Sequence, residues 1–248
     1  MKDATICDYS DYDYNAEFWI NQNRQYEHKL ELKVVNQLLQ KYAKGTINIC
    51  DAGCGFGRLF KAYENLFNCF YLVDYAKNLL DQAQERLKDH QNINYHQSSL
   101  YDLQLPAKMD AIISIRTLHH LNDVDQLFSV FYRLLDDKGI LILDIPNHYH
   151  IKNLIKNPFK PKQNNIKLSH SFFNYNPKYI IDKLNNSGFN VIDKQQIGLF
   201  RVGIIKRFFP PSLLIFLEII INIIFGSFNI GPSVYVVARK TVDKIVDK

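Results

Sequence analysis

One short stretch, residues 47–58, constrains the fold of this chain more than any other. An apolar run of strand character ends at Asp51, glycine then recurs at every second position (Gly53, Gly55 and Gly57), and apolar residues follow at helical spacing. Glycine lets the backbone turn tightly from a strand into a helix, and it lets a ligand lie directly on the main chain. The stretch predicts a strand–turn–helix unit whose turn holds a nucleotide-like ligand.

The spacing of the glycines narrows the kind of ligand. A dinucleotide fingerprint would need glycine where this chain has Arg58, and the Gly-Lys-Ser/Thr end of a P-loop is absent. The pattern acid-x-Gly-x-Gly-x-Gly resembles the first motif of the class I, Rossmann-like methyltransferases that depend on S-adenosylmethionine (SAM). The resemblance implies that Asp51 and the three glycines surround the methionine end of SAM. A tight structural turn without a ligand is the alternative.

A second acid ends the next buried strand pattern, Cys69–Asp74. Asp74 lies 17 residues beyond Gly57, about the offset at which a carboxylate meets the ribose hydroxyls in Rossmann-type units. Asp74 and the neighbouring Tyr75 are therefore predicted to contact the ribose. The alternative is that Asp74 only caps the helix predicted at Ala76–Asp89.

The third strand, predicted at Ile93–Ser99, ends where the family usually has an acid that accepts from the adenine amino group. This chain has Ser99 there, which departs from the family pattern. The Ser99 hydroxyl can still accept a hydrogen bond, and the main-chain N–H of Leu100 can meet a ring nitrogen of adenine. Asp102 is the alternative acid if the loop is offset.

The candidate catalytic group follows the fourth predicted strand, Asp110–Arg116. The segment Thr117-Leu118-His119-His120-Leu121 resembles that of the ubiquinone- and menaquinone-type small-molecule methyltransferases, where it faces the cofactor methyl group. The resemblance implies Arg116 in the cofactor site and His119 as a general base, since imidazole can take a proton near neutral pH. His120 is interpreted as a packing and helix-start residue, and methyl transfer that needs no base is the alternative to a catalytic His119.

The same segment argues against other methyl-transfer chemistries. It lacks the Asp/Asn-Pro-Pro-aromatic motif of enzymes that methylate nucleic-acid amino groups, and no Pro-Cys nucleophile occurs in the chain. Arg116 and His119 stand where metal-assisted O-methyltransferases have acids. No catalytic metal is therefore expected.

Strand and helix patterns alternate from residue 47 to residue 145, which predicts an α/β fold with a parallel sheet covered on both faces. The resemblance implies a doubly wound, Rossmann-like sheet of seven mostly parallel strands, in which the last strand (Pro232–Arg239) runs antiparallel beside Phe189–Ile197. Ligands in such sheets bind beyond the carboxyl ends of the strands. The candidate residues at those ends are Asp51, Asp74, Ser99, Arg116 and His119.

We expect an N-terminal arm and helix at residues 1–45, a methyltransferase domain at 46–240 and a charged tail at 241–248. The arm is rich in aromatic residues, and its helix is predicted at Tyr26–Tyr42. One interpretation is that the arm only packs on the domain. The other is a flap in which Tyr14 or Arg24 reaches the methionine end of the cofactor.

Two insertions, at about 146–176 and 199–231, are predicted to form caps over the active site. The first lies in a segment, residues 145–181, that holds six lysines and no acids, whereas the whole chain has a net charge of +5. A solvated surface loop is one interpretation, and a cap that attracts an anionic substrate is the other. No nucleic-acid-binding module accompanies these lysines, which argues against a nucleic-acid partner.

The second insertion contains an apolar run, residues 213–225, which is shorter than the roughly 20 residues of a membrane span. Three interpretations compete: a helix buried against the domain or a second subunit of a homodimer, an interfacial membrane helix within 206–225, and a transmembrane anchor. The first two favour an apolar substrate. The last residues, 240–248, are predicted to be frayed.

Composition is that of a globular protein, with 47% apolar and 22% charged residues. The four cysteines form no metal-ligand spacing, and no signal peptide is evident, so a cytoplasmic protein is expected, with membrane association as an addition. The sequence predicts a SAM-dependent methyltransferase acting on an O, N or C atom of a small, partly apolar, anionic metabolite. The alternatives are a non-catalytic SAM-binding scaffold and an RNA or protein methyltransferase.

Overall fold

A seven-stranded sheet organises the structure, which is a computed structural model that describes residues 19, 24–43, 45, 47–156, 163–169, 172–226 and 229–241. The helices are α1 (Gln25–Tyr42), α2 (Lys77–Arg86), α3 (Val124–Leu134), α4 (Ile151–Lys156), α5 (Pro177–Asn186), α6 (Gly203–Phe208) and α7 (Pro211–Phe225). The strands are β1 (Asn48–Ala52), β2 (Cys69–Asp74), β3 (Ile93–Gln97), β4 (Met109–Ser114), β5 (Leu135–Pro146), β6 (Asn165–Ser169), β7 (Phe172–Tyr175), β8 (Phe189–Ile197) and β9 (Ser233–Lys240).

The sheet has the strand order β3-β2-β1-β4-β5-β9-β8. Strands β1 to β5 pair in parallel, and β9 runs antiparallel between β5 and β8. The strand order reverses at β1, with β2 on one side of it and β4 on the other, so the carboxyl ends of these parallel strands open onto a shared crevice. The predicted doubly wound, mostly parallel sheet with an antiparallel last strand is confirmed.

The core lies in two layers, one on each face of the sheet. Alternate β1 residues point to opposite layers: Ile49 packs with α1 and α7, whereas Cys50 and Ala52 pack with α3 and α5. Because both faces are covered, the central strands are apolar almost throughout, as parallel sheets require.

The segment after the glycine turn differs from the prediction. The apolar spacing predicts an α-helix there, but the chain forms consecutive tight turns with a short 3-10 helix, Phe60–Ala62. An α-helix would use the Ala62 carbonyl for the Leu66 N–H. Instead Asn36 on α1 donates its Nδ2 to that carbonyl at 2.8 Å, and Leu66 N bonds Tyr63 O. A tertiary contact therefore competes with the helical hydrogen bond.

The two insertions contain elements of their own. The first holds α4 and the antiparallel hairpin β6–β7, and Phe172 of this hairpin stacks on His119 at the sheet edge. The second holds α6 and α7. No helix among the described residues is long and apolar enough to cross a membrane.

Helix α7 is buried on one face only. Leu214, Ile215 and Glu218 face inward and pack beside α1, whereas the opposite face is exposed. The one acid of α7, Glu218, thus points into the protein. The acid is held there by three donors, Tyr26 Oη and the backbone N–H groups of Gly198 and Leu199.

Candidate functional site

The glycine turn after β1 forms the first part of the candidate cofactor site. We call this site, at the carboxyl ends of β1, β2 and β3, the cofactor rim. Gly53, Gly55 and Gly57 all have positive φ, at 85°, 54° and 70°, a conformation that costs other residues strain. A Cβ on Gly53 would lie 2.3 Å from Thr117 Oγ1, whereas a Cβ on Gly55 would meet nothing within 4 Å. Gly53 is thus required by packing, and the main chain at Gly55 borders open space in which a ligand could lie.

The two acids at the ends of β1 and β2 lie at this turn. Asp51 is 2% exposed and accepts a 2.8 Å hydrogen bond from Tyr63 Oη. Asp74 accepts from the backbone N–H of Gly55 at 2.8 Å and of Ala76 at 2.9 Å. Asp74 therefore holds the glycine turn and the residue that precedes α2, but its side chain makes no capping hydrogen bond to that helix.

The electrostatics of the acids favour a cationic ligand. Burial is the largest cause that raises the pKa of Asp51 to about 7; the nearby charge of Asp74 adds to it, and the Tyr63 hydrogen bond and the Arg58 charge oppose it. Burial also raises the pKa of Asp74. Each Asp74 oxygen has one backbone donor in the hydrogen bonds above, and a carboxylate offers about four acceptor positions, so ribose hydroxyls could still bind. These residues fit SAM.

The predicted adenine residues follow β3. Ser99 is partly buried, and its hydroxyl accepts from the Tyr101 N–H at 3.3 Å, while Leu100 is 7% exposed. Tyr75 is 46% exposed, and its carbonyl accepts from Gln97 Nε2 at 3.3 Å. The structure puts these residues at the ends of β2 and β3, beside the glycine turn on β1.

His119 lies in a 3-10 helix, Leu118–His120, that follows β4. Its ring stacks on Phe172 with centroids 5.5 Å apart and an interplanar angle of 9°. Burial, and then the charges of His120, Arg116 and Arg201, hold the pKa of His119 well below its usual value. His119 is therefore an uncharged imidazole at neutral pH, able to accept a proton but weakly basic.

A buried cluster of one acid and three arginines, which the sequence analysis missed, lies beneath the site. Glu31 on α1 is fully buried and binds Arg58 at 2.7 Å, Arg116 Nε at 2.8 Å and Arg201 at 3.5 Å. Burial works against the charged form of Glu31, but Arg116 and Arg58 outweigh it and hold its pKa at about 2. One carboxylate thus ties α1 to the β1 turn, the end of β4 and the segment after β8.

Arg116 shows strain at this place, with a φ of 58° at a non-glycine residue. Its guanidinium lies 5.1 Å from the ring centroid of Trp19, and that of Arg58 lies 3.9 Å from the same centroid. The predicted flap residue Arg24 also lies near Trp19, at 6.0 Å, and Tyr14 lies outside the described residues.

A cavity of about 270 Å³ opens beside this cluster. Arg116 and His119 line it from the β4 end, Asp144 from β5, Phe172 from the hairpin, and Arg201 and Ser233 from either side of the second insertion. Helix α7 does not line this cavity, contrary to the expectation that it walls the substrate pocket.

Two buried polar atoms in the cavity wall have no hydrogen-bond partner among the described residues, Asp144 Oδ1 and Arg201 Nε. Asp144 is 3% exposed, and burial raises its pKa. Arg201 is held by Ser233 Oγ at 3.2 Å and by the turn at Gly198, where a Cβ would lie 2.3 Å from Arg201 Nε. Unpaired buried donors and acceptors are costly, so these two atoms favour a polar ligand. In the described part of the chain, no group of three or more His, Cys, Asp or Glu residues could hold a metal ion.

Sequence and structure comparisons identify similar proteins. A family model described as a methyltransferase domain matches residues 50–143. A malonyl-(acyl-carrier protein) O-methyltransferase from Bacillus cereus is 27% identical over 129 residues, covering 51% of this chain and 48% of that protein. The chain thus spans about half the length of this curated relative.

Solved structures share the fold over most of the chain. The magnesium protoporphyrin IX methyltransferase of Synechocystis PCC 6803, with bound SAH, has a TM-score of 0.62 and 17% identity, covering 94% of this chain and 91% of that one. The cyclase SpnF has a TM-score of 0.59 and 13% identity, covering 86% and 82%. The predicted family resemblance and fold are confirmed: residues 50–143 match the methyltransferase domain model, and the chain has the Rossmann-like fold of these SAM-dependent methyltransferases.

Proposed function

We propose that this chain transfers a methyl group from SAM to a small acceptor with an anionic or polar head and an apolar remainder. The proposed domain comprises residues 46–240. One observation carries the proposal. Arg116 and His119 line the cavity of about 270 Å³, which we call the acceptor cavity, and they also lie at the end of β4. Strand β4 pairs with β1, whose end carries Asp51 and the glycine turn. An acceptor in that cavity would therefore lie beside the proposed cofactor site.

The residues proposed to hold SAM follow from their positions. Asp51 and the glycine turn would face its cationic methionine end, Asp74 and Tyr75 its ribose, and Ser99 and Leu100 its adenine. Arg24 and Tyr14 are further candidates at the methionine end. When bound, SAM supplies a methyl group on a positively charged sulfur.

The chain contributes alignment and exclusion of water more than acid–base chemistry. A sulfonium methyl is already reactive, so holding the acceptor atom in line accounts for most of the acceleration. His119 remains uncharged and can take a proton from a hydroxyl or amine, and the Phe172 ring fixes its orientation. An acceptor that is already ionised has no proton to lose, so His119 would then only line the cavity.

The charge of the cavity supports an anionic acceptor. Three guanidinium groups share one ionised partner, Glu31, and Asp144 is the other acid beside them, so positive charge is in excess there even when Asp144 is ionised. Arg201 Nε can donate to an oxygen of the acceptor head, and Asp144 Oδ1 can accept from a hydroxyl or N–H on it. The B. cereus relative is named a malonyl-(acyl-carrier protein) O-methyltransferase, and a malonyl group attached through one carbonyl keeps one free carboxylate.

A non-catalytic or differently catalytic role is the second candidate. A neighbour of the same fold, SpnF, is a cyclase, so the fold alone does not establish methyl transfer. The acceptor cavity argues for the enzyme, because a scaffold that only binds SAM has no need of buried unpaired polar atoms beside it.

Calorimetry with SAM, its demethylated product and NAD tests the cofactor. We expect SAM and its product to bind, NAD not to bind, and Asp74→Asn to weaken SAM at least tenfold. The matched control is Asp81→Asn, an exposed acid on α2 paired with Lys77, which should leave SAM binding unchanged. Preference for NAD, or equal effects of the two substitutions, would overturn the cofactor assignment.

A methylation screen by mass spectrometry then tests the transfer. Small carboxylated and hydroxylated acceptors with apolar chains should gain one methyl group in the presence of SAM. Arg201→Gln should raise KM for the acceptor and leave SAM affinity unchanged, because Arg201 lines the cavity away from the glycine turn. SAM binding without any methylated product would favour the scaffold.

A further inference from the structure

Helix α7 exposes apolar side chains and buries its acid, whereas an ordinary surface helix exposes its polar face. Its single acid, Glu218, is fully buried, whereas its outward face consists of large apolar side chains. The exposed positions recur at helical spacing and form one continuous stripe: Leu213, Phe216, Leu217, Ile220, Ile223 and Ile224. The stripe runs the length of a 15-residue helix, which is about 22 Å.

The preceding helix extends this apolar surface. On α6, Ile204 is 66% exposed and Phe208 is 72% exposed, one turn apart, and Phe209 follows at 48%. We call the exposed side chains of α6 and α7, together with Phe209, the apolar face. Contiguous exposed apolar surface of this extent marks a site of interaction with a protein or a membrane.

Buried polar contacts hold the apolar face outward. Glu218 accepts from Tyr26 Oη and from the backbone N–H groups of Gly198 and Leu199. Rotating α7 to bury its isoleucines would break these three hydrogen bonds and expose Tyr26, which is 1% accessible. The exposure of the apolar face is therefore built into the fold.

The charges around the apolar face select its partner. The exposed charged residues of α1, α6 and α7 are all basic: Lys29, Lys33 and Arg207, together with Lys41, which lies near the C-terminus of α1 and pairs with Asp193 on β8. The acids of these helices, Glu27, Glu31 and Glu218, are all buried. A second copy docked through the same face would bring like charges together, whereas an anionic lipid surface would meet apolar side chains and cations at once.

We propose that the apolar face of α6 and α7 docks on an anionic membrane surface, with α7 lying in the plane of the interface and not crossing it. The insertion that carries this face begins and ends beside the acceptor cavity, at Arg201 and at Ser233. Docking would therefore bring the mouth of that cavity close to the lipid. The docking itself does not depend on methyl transfer.

Vesicle co-sedimentation of the full chain tests the proposal without any activity assay. We expect binding to vesicles of phosphatidylcholine with phosphatidylglycerol, and at least tenfold weaker binding to phosphatidylcholine alone. Ile220→Glu combined with Ile223→Glu should reduce binding to the anionic vesicles by a hundredfold or more, since each isoleucine buries its side chain in the interface. Arg207→Gln should weaken it and reduce its salt dependence.

The matched control is Ile47→Glu, which charges an isoleucine that is 57% exposed outside the apolar face. It should bind vesicles like the wild type, and circular dichroism should show that all variants are folded. The proposal is overturned if wild type does not bind anionic vesicles, or if the α7 double variant binds as well as Ile47→Glu. It is also overturned if sedimentation velocity shows a dimer that only the α7 double variant converts to a monomer.

Discussion

At the scale of single residues, the carboxyl of Asp51 has the most unusual electrostatics of the cofactor rim. Its pKa of about 7 means that it is partly protonated near neutral pH before a ligand binds. A cationic ligand favours the ionised form, so binding must release a proton when the pH is below that pKa. The affinity of a cationic ligand is thereby coupled to pH.

We therefore expect SAM affinity to rise several-fold between about pH 6 and about pH 8, with proton release at the lower pH. Calorimetry in two buffers of different ionisation enthalpy measures the released protons directly. Asp51→Asn should bind more weakly and show no such pH dependence. A wild-type affinity that does not change with pH would contradict the raised pKa of Asp51.

Gly53 is required by both its backbone and its neighbours. Gly53→Ala would place a methyl group 2.3 Å from Thr117 Oγ1 at a φ of 85°, so we expect a loss of more than about 2 kcal/mol in the free energy of unfolding. Gly203→Ala is the control, since nothing lies within 4 Å of its Cβ and alanine favours a helix. It should change stability by less than about 1 kcal/mol in urea unfolding, and similar losses for both variants would refute the argument.

At the scale of elements, Glu31 holds α1 to the carboxyl ends of the central strands β1 and β4. Glu31→Gln leaves three guanidinium groups without their shared carboxylate, and we expect a loss of about 3–5 kcal/mol in the free energy of unfolding. The exposed pair of Glu85 and Lys88 provides a comparison, because Glu85→Gln should cost less than about 1 kcal/mol. Urea unfolding at neutral pH measures both.

The same carboxylate sets a pH window for stability. The folded pKa of Glu31, about 2, is below its ordinary value of 4.5, so its contribution is present above about pH 4.5 and is lost as pH falls through about 2. Wild type should lose stability over that range more steeply than Glu31→Gln. Equal slopes for the two proteins would mean that Glu31 is not the ionised partner of the arginines.

The hairpin β6–β7 places Phe172 on His119, which makes it an element of acceptor binding. Phe172→Ala should raise KM for the acceptor several-fold and leave SAM affinity unchanged, because Phe172 lines the cavity and contacts His119 but not the glycine turn. Phe208→Ala, an exposed phenylalanine on α6, should leave both constants unchanged in an assay without lipid. A change in SAM affinity alone would place Phe172 in the cofactor site instead.

At the scale of the whole molecule, the cofactor rim joins segments that are far apart in the chain. A ligand that bridges the ends of β1, β2 and β3 should stabilise the entire fold, since it binds only the folded state. At a SAM concentration about a hundred times its Kd, we expect roughly 2.7 kcal/mol and a rise in Tm of roughly 5–10 °C. Differential scanning fluorimetry measures this, and NAD at the same concentration should leave Tm unchanged.

Much of the sheet could be predicted from the sequence. Strands β2 and β8 match their predicted bounds, and α1 begins one residue before its predicted start and ends where predicted. The segment after the glycine turn could not be predicted, because the Asn36 amide that takes the Ala62 carbonyl belongs to a different element. The spacing of apolar residues predicts the local preference for a helix, but it cannot predict a side chain from another element that takes a helical hydrogen-bond acceptor.

The candidate site also has residues that the sequence predicts and residues that only the tertiary structure shows. The rim residues Asp51, Gly53, Gly55 and Asp74 are recognisable because each lies within a few residues of the end of a strand, and strand ends meet at one edge of a parallel sheet. Asp144 near the end of β5 follows the same pattern, but it belongs to none of the motifs that the sequence analysis used. Only the tertiary structure shows that Asp144 is buried beside Arg201 and Ser233 and that its Oδ1 has no hydrogen-bond partner among the described residues.

The sequence by itself determined the order of the strands in the seven-stranded sheet along the chain, the glycine turn that needs positive φ, and the acids at the strand ends, since these depend on neighbours along the chain. Tertiary structure alone decided which charges pair and which faces remain exposed. Glu31 meets Arg201 across 170 residues, and Glu218 meets Tyr26 across 192. Because a buried charge must find its partner wherever the fold brings one, these contacts set the arginine cluster of the cavity and the outward apolar face of α7.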